Sequence, residues 1–237
     1  MKKIFTLIAV AAMALSANAQ KVITFGDVDS DGKIVDATVK AEYADGDFKL
    51  TYVDTNGKLA VDGNPAYFGT ADSNQKFVSR LKSGGKSDAS KLYLTLTVPA
   101  KGTLSVFART GSNSAEDRTV VLTQNDTELY NKVVKEADAI MVKGLDSSDA
   151  DKETKVYPAI TVSVEAGTVT VTFPINSINF YAFSFLADGE EPGDDTGIST
   201  VKVAENTNAA IFNLAGQQVG KNYKGVVIQN GVKRIQK

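Results

Sequence analysis

Asp27, Asp29, Asp31 and Gly32, in the run GDVDSDGKIVDAT from Gly26 to Thr38, have the spacing of a calcium loop. Carboxylates at alternate positions surround a hard cation with oxygen, and the glycine makes the sharp turn. The last position of such a loop needs a bidentate acid and here holds Thr38, so the oxygen shell is left incomplete. The flanks VITF and KIVDATVKAEY are β-branched and partly alternating, where the motif needs helices. Asp and Gly also suit a strand reversal, since they tolerate positive φ and cap their own backbone. An acidic hairpin turn is the favoured reading and no cofactor is expected; structural calcium at a sandwich edge is the alternative.

The chain contains no histidine, cysteine or tryptophan. That removes Ser-His-Asp and Cys-His nucleophiles, imidazole bases and ordinary zinc sites. Carboxylates, Lys, Tyr and Arg remain, a set sufficient for a glycosidase or a lyase. The acidic pairs Asp45 with Asp47, Glu116 with Asp117, and Glu190 with Glu191 all fall in turns or in a linker. Nothing near them in sequence buries one partner to raise its pKa, so they read as solvated loop charge. The expectation is therefore a non-enzyme. With 26 basic against 28 acidic residues and no basic cluster, nucleic acid is not an expected partner.

Two arginines stand out as binding groups. Arg109 and Arg118 bracket the polar loop TGSNSAEDR, where guanidinium donors can meet a carboxylate or tie the loop down through Glu116 and Asp117. In INFYAFSFL, regular alternation puts Asn179, Tyr181, Phe183 and Phe185 on one face and Ile178, Phe180 and Ala182 on the other. Such an aromatic row usually belongs to a core, but the Tyr181 hydroxyl needs a partner or solvent. Arg109, Arg118 and Tyr181 are the candidate ligand-binding residues. Tyr52, Tyr67 and Phe68, in turn-rich sequence, either line a loop-end groove or anchor loops onto a sheet edge.

The elements that must position these residues are strands. KLYLTLTVPAKGTLSVFART alternates through Leu92, Leu94, Leu96 and Val98, turns at Pro99 to Gly102, and resumes at Leu104, Val106 and Ala108, which reads as a hairpin with one wet side. YPAITVSVEAGTVTVTF repeats the pattern around Ala166-Gly167 and reads as a second hairpin. RTVVLTQNDTELYNKVV reads as two strands around Asn125-Asp126, and INFYAFSFL as a closing strand buried on both faces. No segment here holds a helical period for long, KEADAIMVKG coming nearest. The fold class expected is all-β, a jelly-roll-like antiparallel β-sandwich with a small β-rich C-terminal tail.

Four segments follow from composition. Residues 1–19 read as a signal peptide, with Lys2 and Lys3, an apolar run too short to span a bilayer as an anchor, and Ala17-Asn18-Ala19 as a cleavage site. Residues 20–187 form the sandwich and 188–197, DGEEPGDDTG, an acidic linker. Residues 198–237 form a tail with three short strands in AAIFNL, KGVVIQ and VKRIQK. The expected product is exported, and secreted or displayed at the cell surface, with the periplasm as the alternative.

The tail residues Phe212, Asn213, Leu214, Gly216, Gln217, Val219, Gly225, Asn230, Gly231, Lys233 and Lys237 resemble the pattern of the C-terminal sorting domain of the type IX secretion system, in a shorter form. The resemblance implies contact with secretion machinery. Leu81 to Thr123 resembles the non-catalytic β-sandwich module found beside pectate lyases, pectin esterases and other secreted polysaccharide-degrading enzymes. That likeness rests on the Gly84-Gly85 turn, the Pro99 to Gly102 turn, the strand end from Ala108 to Ser112, and Arg118. It implies binding of plant or host polysaccharide. Because tryptophan is absent, Tyr and Phe must carry any stacking on sugar faces. The alternatives are a structural or adhesive surface protein without a sugar ligand and, behind it, a carboxylate-based polysaccharide lyase or hydrolase.

Overall fold

The computed structural model describes residues 20–145, 149–190, 211–213, 218–219, 224–229 and 232–236. The expected signal peptide, residues 1–19, and most of the expected linker, residues 188–197, lie outside the described residues. The chain divides into two compact units, Met1–Gly193 and Asp194–Lys237.

The first unit is an all-β sandwich of two large sheets, with strands numbered along the chain. The larger sheet contains β1 (Lys21–Thr24), β6 (Ala60–Gly69), β7 (Asn74–Lys82), β9 (Gly102–Thr110), β12 (Ile140–Lys143), β13 (Glu153–Tyr157), β14 (Ile160–Val164) and β16 (Ile178–Ala187). Its order is β12-β13-β6-β7-β16-β9-β14, with β1 also paired to β16. The other sheet is β11-β10-β15-β8-β5-β4, built from β4 (Tyr43–Asp45), β5 (Phe48–Asp54), β8 (Leu92–Val98), β10 (Thr119–Gln124), β11 (Thr127–Val133) and β15 (Gly167–Thr172). Pairing is antiparallel throughout these sheets except between β13 and β6.

The acidic run at the start forms a tight reversal between β2 (Asp27–Val28) and β3 (Ile34–Asp36). Asp29 caps it, its carboxylate accepting from the Asp31 and Lys33 amides at 3.0 and 2.9 Å, while Gly32 takes a φ of +77°. The β10–β11 hairpin turns at Asn125 and Asp126, both at positive φ, as a two-residue reversal requires.

The other two expected hairpins are corrected. β8 and β9 do not pair; β8 lies between β15 and β5, and β9 between β16 and β14, in opposite sheets. β14 and β15 are likewise divided between the sheets. Each segment is an arch that crosses the core. Alternation fixes which face a strand buries, and both arms of an arch bury that face in the same core, so the pattern matches a hairpin's.

The main core fills the space between the sheets. Phe48, Leu50, Leu94 and Leu96 meet Leu104, Val106, Phe180 and Phe183, all fully closed to solvent. A smaller aromatic cluster of Phe68, Phe77, Tyr157 and Tyr181 lies on the outer face of the larger sheet. β16 feeds both clusters, and its side chains do not follow the expected alternation. Its register with β9 shifts between Phe180 and Ala182, a β-bulge that leaves Tyr181 as the extra residue. Phe183 thereby returns to the main core, with its ring stacked on Phe180 at 5.6 Å and 23°, while Tyr181 and Ala182 both join the outer cluster.

KEADAIMVKG contains a single 3-10 turn, Glu136–Asp138, followed by β12. In the second unit, β17 (Ile211–Asn213), β18 (Gln218–Val219), β19 (Gly225–Gln229) and β20 (Val232–Gln236) form a sheet of order β18-β17-β19-β20. It has one short strand more than expected, at Gln218–Val219, which pairs with β17. Several residues of the sorting-type pattern, among them Leu214, Gly216, Gln217, Asn230, Gly231 and Lys237, lie outside the described residues.

Candidate functional site

Alternation on β9 buries Leu104, Val106 and Ala108 between the sheets and turns Phe107 and Arg109 to the opposite face. There Arg109 meets side chains from β6, β7 and β13 and from the 3-10 turn around a groove of about 850 Å3. Ser112, Asn113 and Ser114, from the loop after β9, line it as well. The groove overlies the outer aromatic cluster, with Ala66 and Tyr157 belonging to both.

Arg109 and Glu136 are the centre of the site, with side chains only 13 % and 12 % exposed. The Arg109 guanidinium lies over the Tyr157 ring at 4.7 Å. Its Nη2 donates to Asn113 Oδ1 at 3.0 Å and to Glu136 Oε2 at 3.3 Å. The other carboxylate oxygen of Glu136 accepts from Tyr157 Oη at 2.7 Å and Lys155 Nζ at 2.9 Å. One carboxylate thus joins β9, β13 and the 3-10 turn. Beside it, Arg80 Nε donates to Asp62 Oδ1 at 2.7 Å, and Lys82 pairs with Asp62 at 2.8 Å.

The electrostatics follow from these contacts. Burial opposes ionisation of Glu136, but hydrogen bonds from Tyr157 and Lys155 and the nearby Arg109 charge together hold its carboxyl below the usual range. Burial, then the hydrogen bond to Glu136, push the Tyr157 hydroxyl well up. Glu136 is an ionised anchor at neutral pH, which suits it poorly to the role of a general acid. A depressed folded pKa contributes stability that is complete above the ordinary value of 4.5 and is lost as pH falls through the lower folded value. Melting temperatures measured from pH 7 to pH 2 should therefore show a shallower acid decline in Glu136→Gln than in the parent. Identical acid limbs would mean that these bonds do not form.

Beneath the groove, Arg109 Nε and Tyr181 Oη are buried without a hydrogen bond of good geometry, although the Arg80 and Arg109 guanidinium groups lie close enough to the Tyr181 oxygen to donate to it weakly. Burial pushes the Tyr181 hydroxyl up, and the guanidinium groups of Arg109 and Arg80 pull it back, so both cations act on the same oxygen.

Of the three residues expected from sequence, only Arg109 lines the groove. Tyr181 is fully closed to solvent within the outer cluster, its ring 5.1 Å from that of Phe68. Arg118 Nη1 donates to Ser177 O and Oγ at 2.9 and 2.8 Å, and Gly111 N donates to the same Ser177 carbonyl at 3.1 Å. These bonds tie the loop after β9 to the turn before β16. Asp117 is 3.9 Å from Arg118 and Glu116 pairs with Lys135 at 3.5 Å. Tyr52 packs against the main core and Phe68 lies in the outer cluster, whereas Tyr67 lines the groove, on a strand rather than in a turn.

Glu136, Lys155, Tyr157 and the Asp62–Arg80 pair were not read from the sequence. Glu136 is 27 residues from Arg109 and 21 from Tyr157, so no local spacing marks it. The one usable signal is KEAD itself, a polar break between two β-branched runs. Among the described residues no group of three or more His, Cys, Asp or Glu side chains is placed to hold a metal ion, and no helix is long and apolar enough to cross a membrane.

No known protein family matches the chain, and no curated protein sequence does. Among solved structures, the K1 cleaved adhesin domain of Lys-gingipain from Porphyromonas gingivalis W83 is similar at 12 % identity and a TM-score of 0.38, over 72 % of this chain and 99 % of that one. A chain from work on glycan recognition in the Ruminococcus flavefaciens cellulosome is similar at 14 % identity and a TM-score of 0.26, over 58 % and 93 %. The catalytic domain of a GH87 α-1,3-glucanase in complex with tetrasaccharides is similar at 12 % identity and 0.30, over 65 % of this chain and 31 % of that one. Likenesses at these TM-scores assign neither a family nor a function.

Proposed function

We propose that this is an exported, non-catalytic glycan-binding β-sandwich protein for plant or host polysaccharide, with the groove at Arg109 as its binding surface. One observation carries the reading: a groove of about 850 Å3 in which a guanidinium is fixed over an aromatic ring and surrounded by Asn and Ser side chains. Sugar hydroxyls are held by such amide, hydroxyl and guanidinium groups, and the Tyr157 ring beneath Arg109 fixes the guanidinium in place. Arg109 is the contact residue, Arg118 positions the loop that bears Asn113, and Tyr181 supports the floor. Export leads to secretion or surface display, with the periplasm as the alternative, and the tail serves as an address for secretion machinery.

A glycan array probed with the chain from Gln20 onward tests this. We expect retention on at least one polysaccharide class, with no shortened or unsaturated product on incubation. Arg109→Ala should weaken binding by about 1–3 kcal/mol, the range for a charge-assisted contact. Binding to no glycan, or turnover of one, overturns the reading.

A second reading, an adhesive sandwich that contacts protein, is favoured by the edge strand β12. It pairs on one side only, with β13, and exposes Ile140 and Met141 at 44 % and 50 %.

A further inference from the structure

The groove has an excess of positive charge. Arg80, Arg109 and Lys155 line it against one carboxylate, Glu136, which Arg109 and Lys155 share; Asp62, beside Arg80, is itself shared with Lys82. The chain as a whole has a formal charge of −2, so this patch runs against the general balance. Donors outnumber anionic acceptors there: among the described residues Glu136 is the one carboxylate lining the groove, against the guanidinium groups of Arg80 and Arg109 and the ammonium of Lys155. Glu136 shows how the wall receives a carboxylate: two oxygens, met by a phenol, an ammonium and a guanidinium. A neutral sugar supplies hydroxyls, which satisfy acceptors and donors alike and leave the surplus charge in place. An oxyanion supplies acceptors and charge together.

We infer that the groove selects glycans bearing an oxyanion, a uronate carboxylate or a sulfate ester, held by Arg109 and Lys155 beside Asn113; this deepens the glycan-binding reading and rests on it. Glu136 is then the internal counter-ion of the site. It keeps Arg109 in place and, by its charge, limits affinity for the ligand.

The test is calorimetric titration of the chain from Gln20 onward with polygalacturonate, with the same polymer after carboxyl reduction to a neutral galactan, and with dextran sulfate. Lys155→Gln and Glu136→Gln change the groove charge in opposite directions. Lys155 is exposed, so its variant carries little folding risk, and circular dichroism melts verify both. We expect polygalacturonate, dextran sulfate or both to bind at least about tenfold more tightly than the neutral polymer, the difference between them naming the carboxylate or the sulfate as the preferred group. Lys155→Gln should weaken that binding and Glu136→Gln strengthen it, each by about threefold to fivefold, as for one partly screened charge. Equal affinity for the acidic and reduced polymers overturns this inference and leaves glycan binding intact. So does a loss of affinity in both variants, which indicates a site sensitive to packing rather than charge. Binding to none of the three, with none on the array, overturns both.

Discussion

Tyr181→Ala should destabilise the sandwich by about 3–5 kcal/mol, the cost of removing a large aromatic side chain from a packed interior. Tyr181 is fully buried in the outer cluster at the β16 bulge, where its ring lies 5.1 Å from Phe68. A surface sugar platform predicts the opposite pattern, a small change in stability and a large loss of binding. Tyr181→Phe separates the ring from its hydroxyl. The ring keeps its contacts, and what disappears is a buried oxygen with only weak guanidinium donors and no acceptor for its proton, so the melting temperature should stay within the equivalent of about 1 kcal/mol of the parent. Thermal melts of the two variants decide the matter. If the alanine variant melts like the parent, Tyr181 does not pack as described.

Gly102→Ala should cost about 3 kcal/mol, at the upper end of overpacking penalties. Gly102 begins β9 where the chain arrives from the opposite sheet, and it pairs with Ala187 on one side and Val164 on the other. A Cβ there meets the Leu186 carbonyl oxygen at impossible range, Ala187 Cα at 2.8 Å and Phe185 Cε2 at 2.9 Å. Two of these are backbone atoms fixed in the ladder, so the strain spreads into β16. Gly85 provides the control. A Cβ there has no neighbour within 4 Å, so Gly85→Ala should lie within about 0.5 kcal/mol of the parent. Equal melting temperatures for the two alanine variants would show that β9 and β16 do not approach this closely.

The strands were legible because period-two alternation is imposed locally: Leu92 to Val98 and Leu104 to Ala108 declare their buried faces without reference to a partner. Partner choice is not local. Pro99 to Gly102 suits a reversal within a sheet or a crossing between sheets, and core contacts between residues distant in sequence choose the crossing. The bulge at Tyr181 was hidden for a related reason. INFYAFSFL is buried on both faces, its polar Asn179 and Ser184 included, so no exposed position marks a one-residue slip. The groove was legible only at Arg109. Glu136 and Tyr157 carry no mark of their own and become a site only when β13 pairs with β6 in parallel and brings Tyr157 beside Phe68 in the ladder.

The position of β16 has a consequence for timing. It lies between β7 and β9 and also receives β1, so every strand it pairs with precedes it along the chain. A polypeptide that emerges N-terminus first reaches residue 177 with a vacant slot through the middle of its larger sheet, and its core still lacks Phe180, Phe183 and Phe185. Before that point the strands of the smaller sheet and the β6–β7 and β9–β14 pairs are all present, but the larger sheet has no strand to join β7 to β9. The larger sheet therefore closes late, once about four-fifths of the chain has appeared.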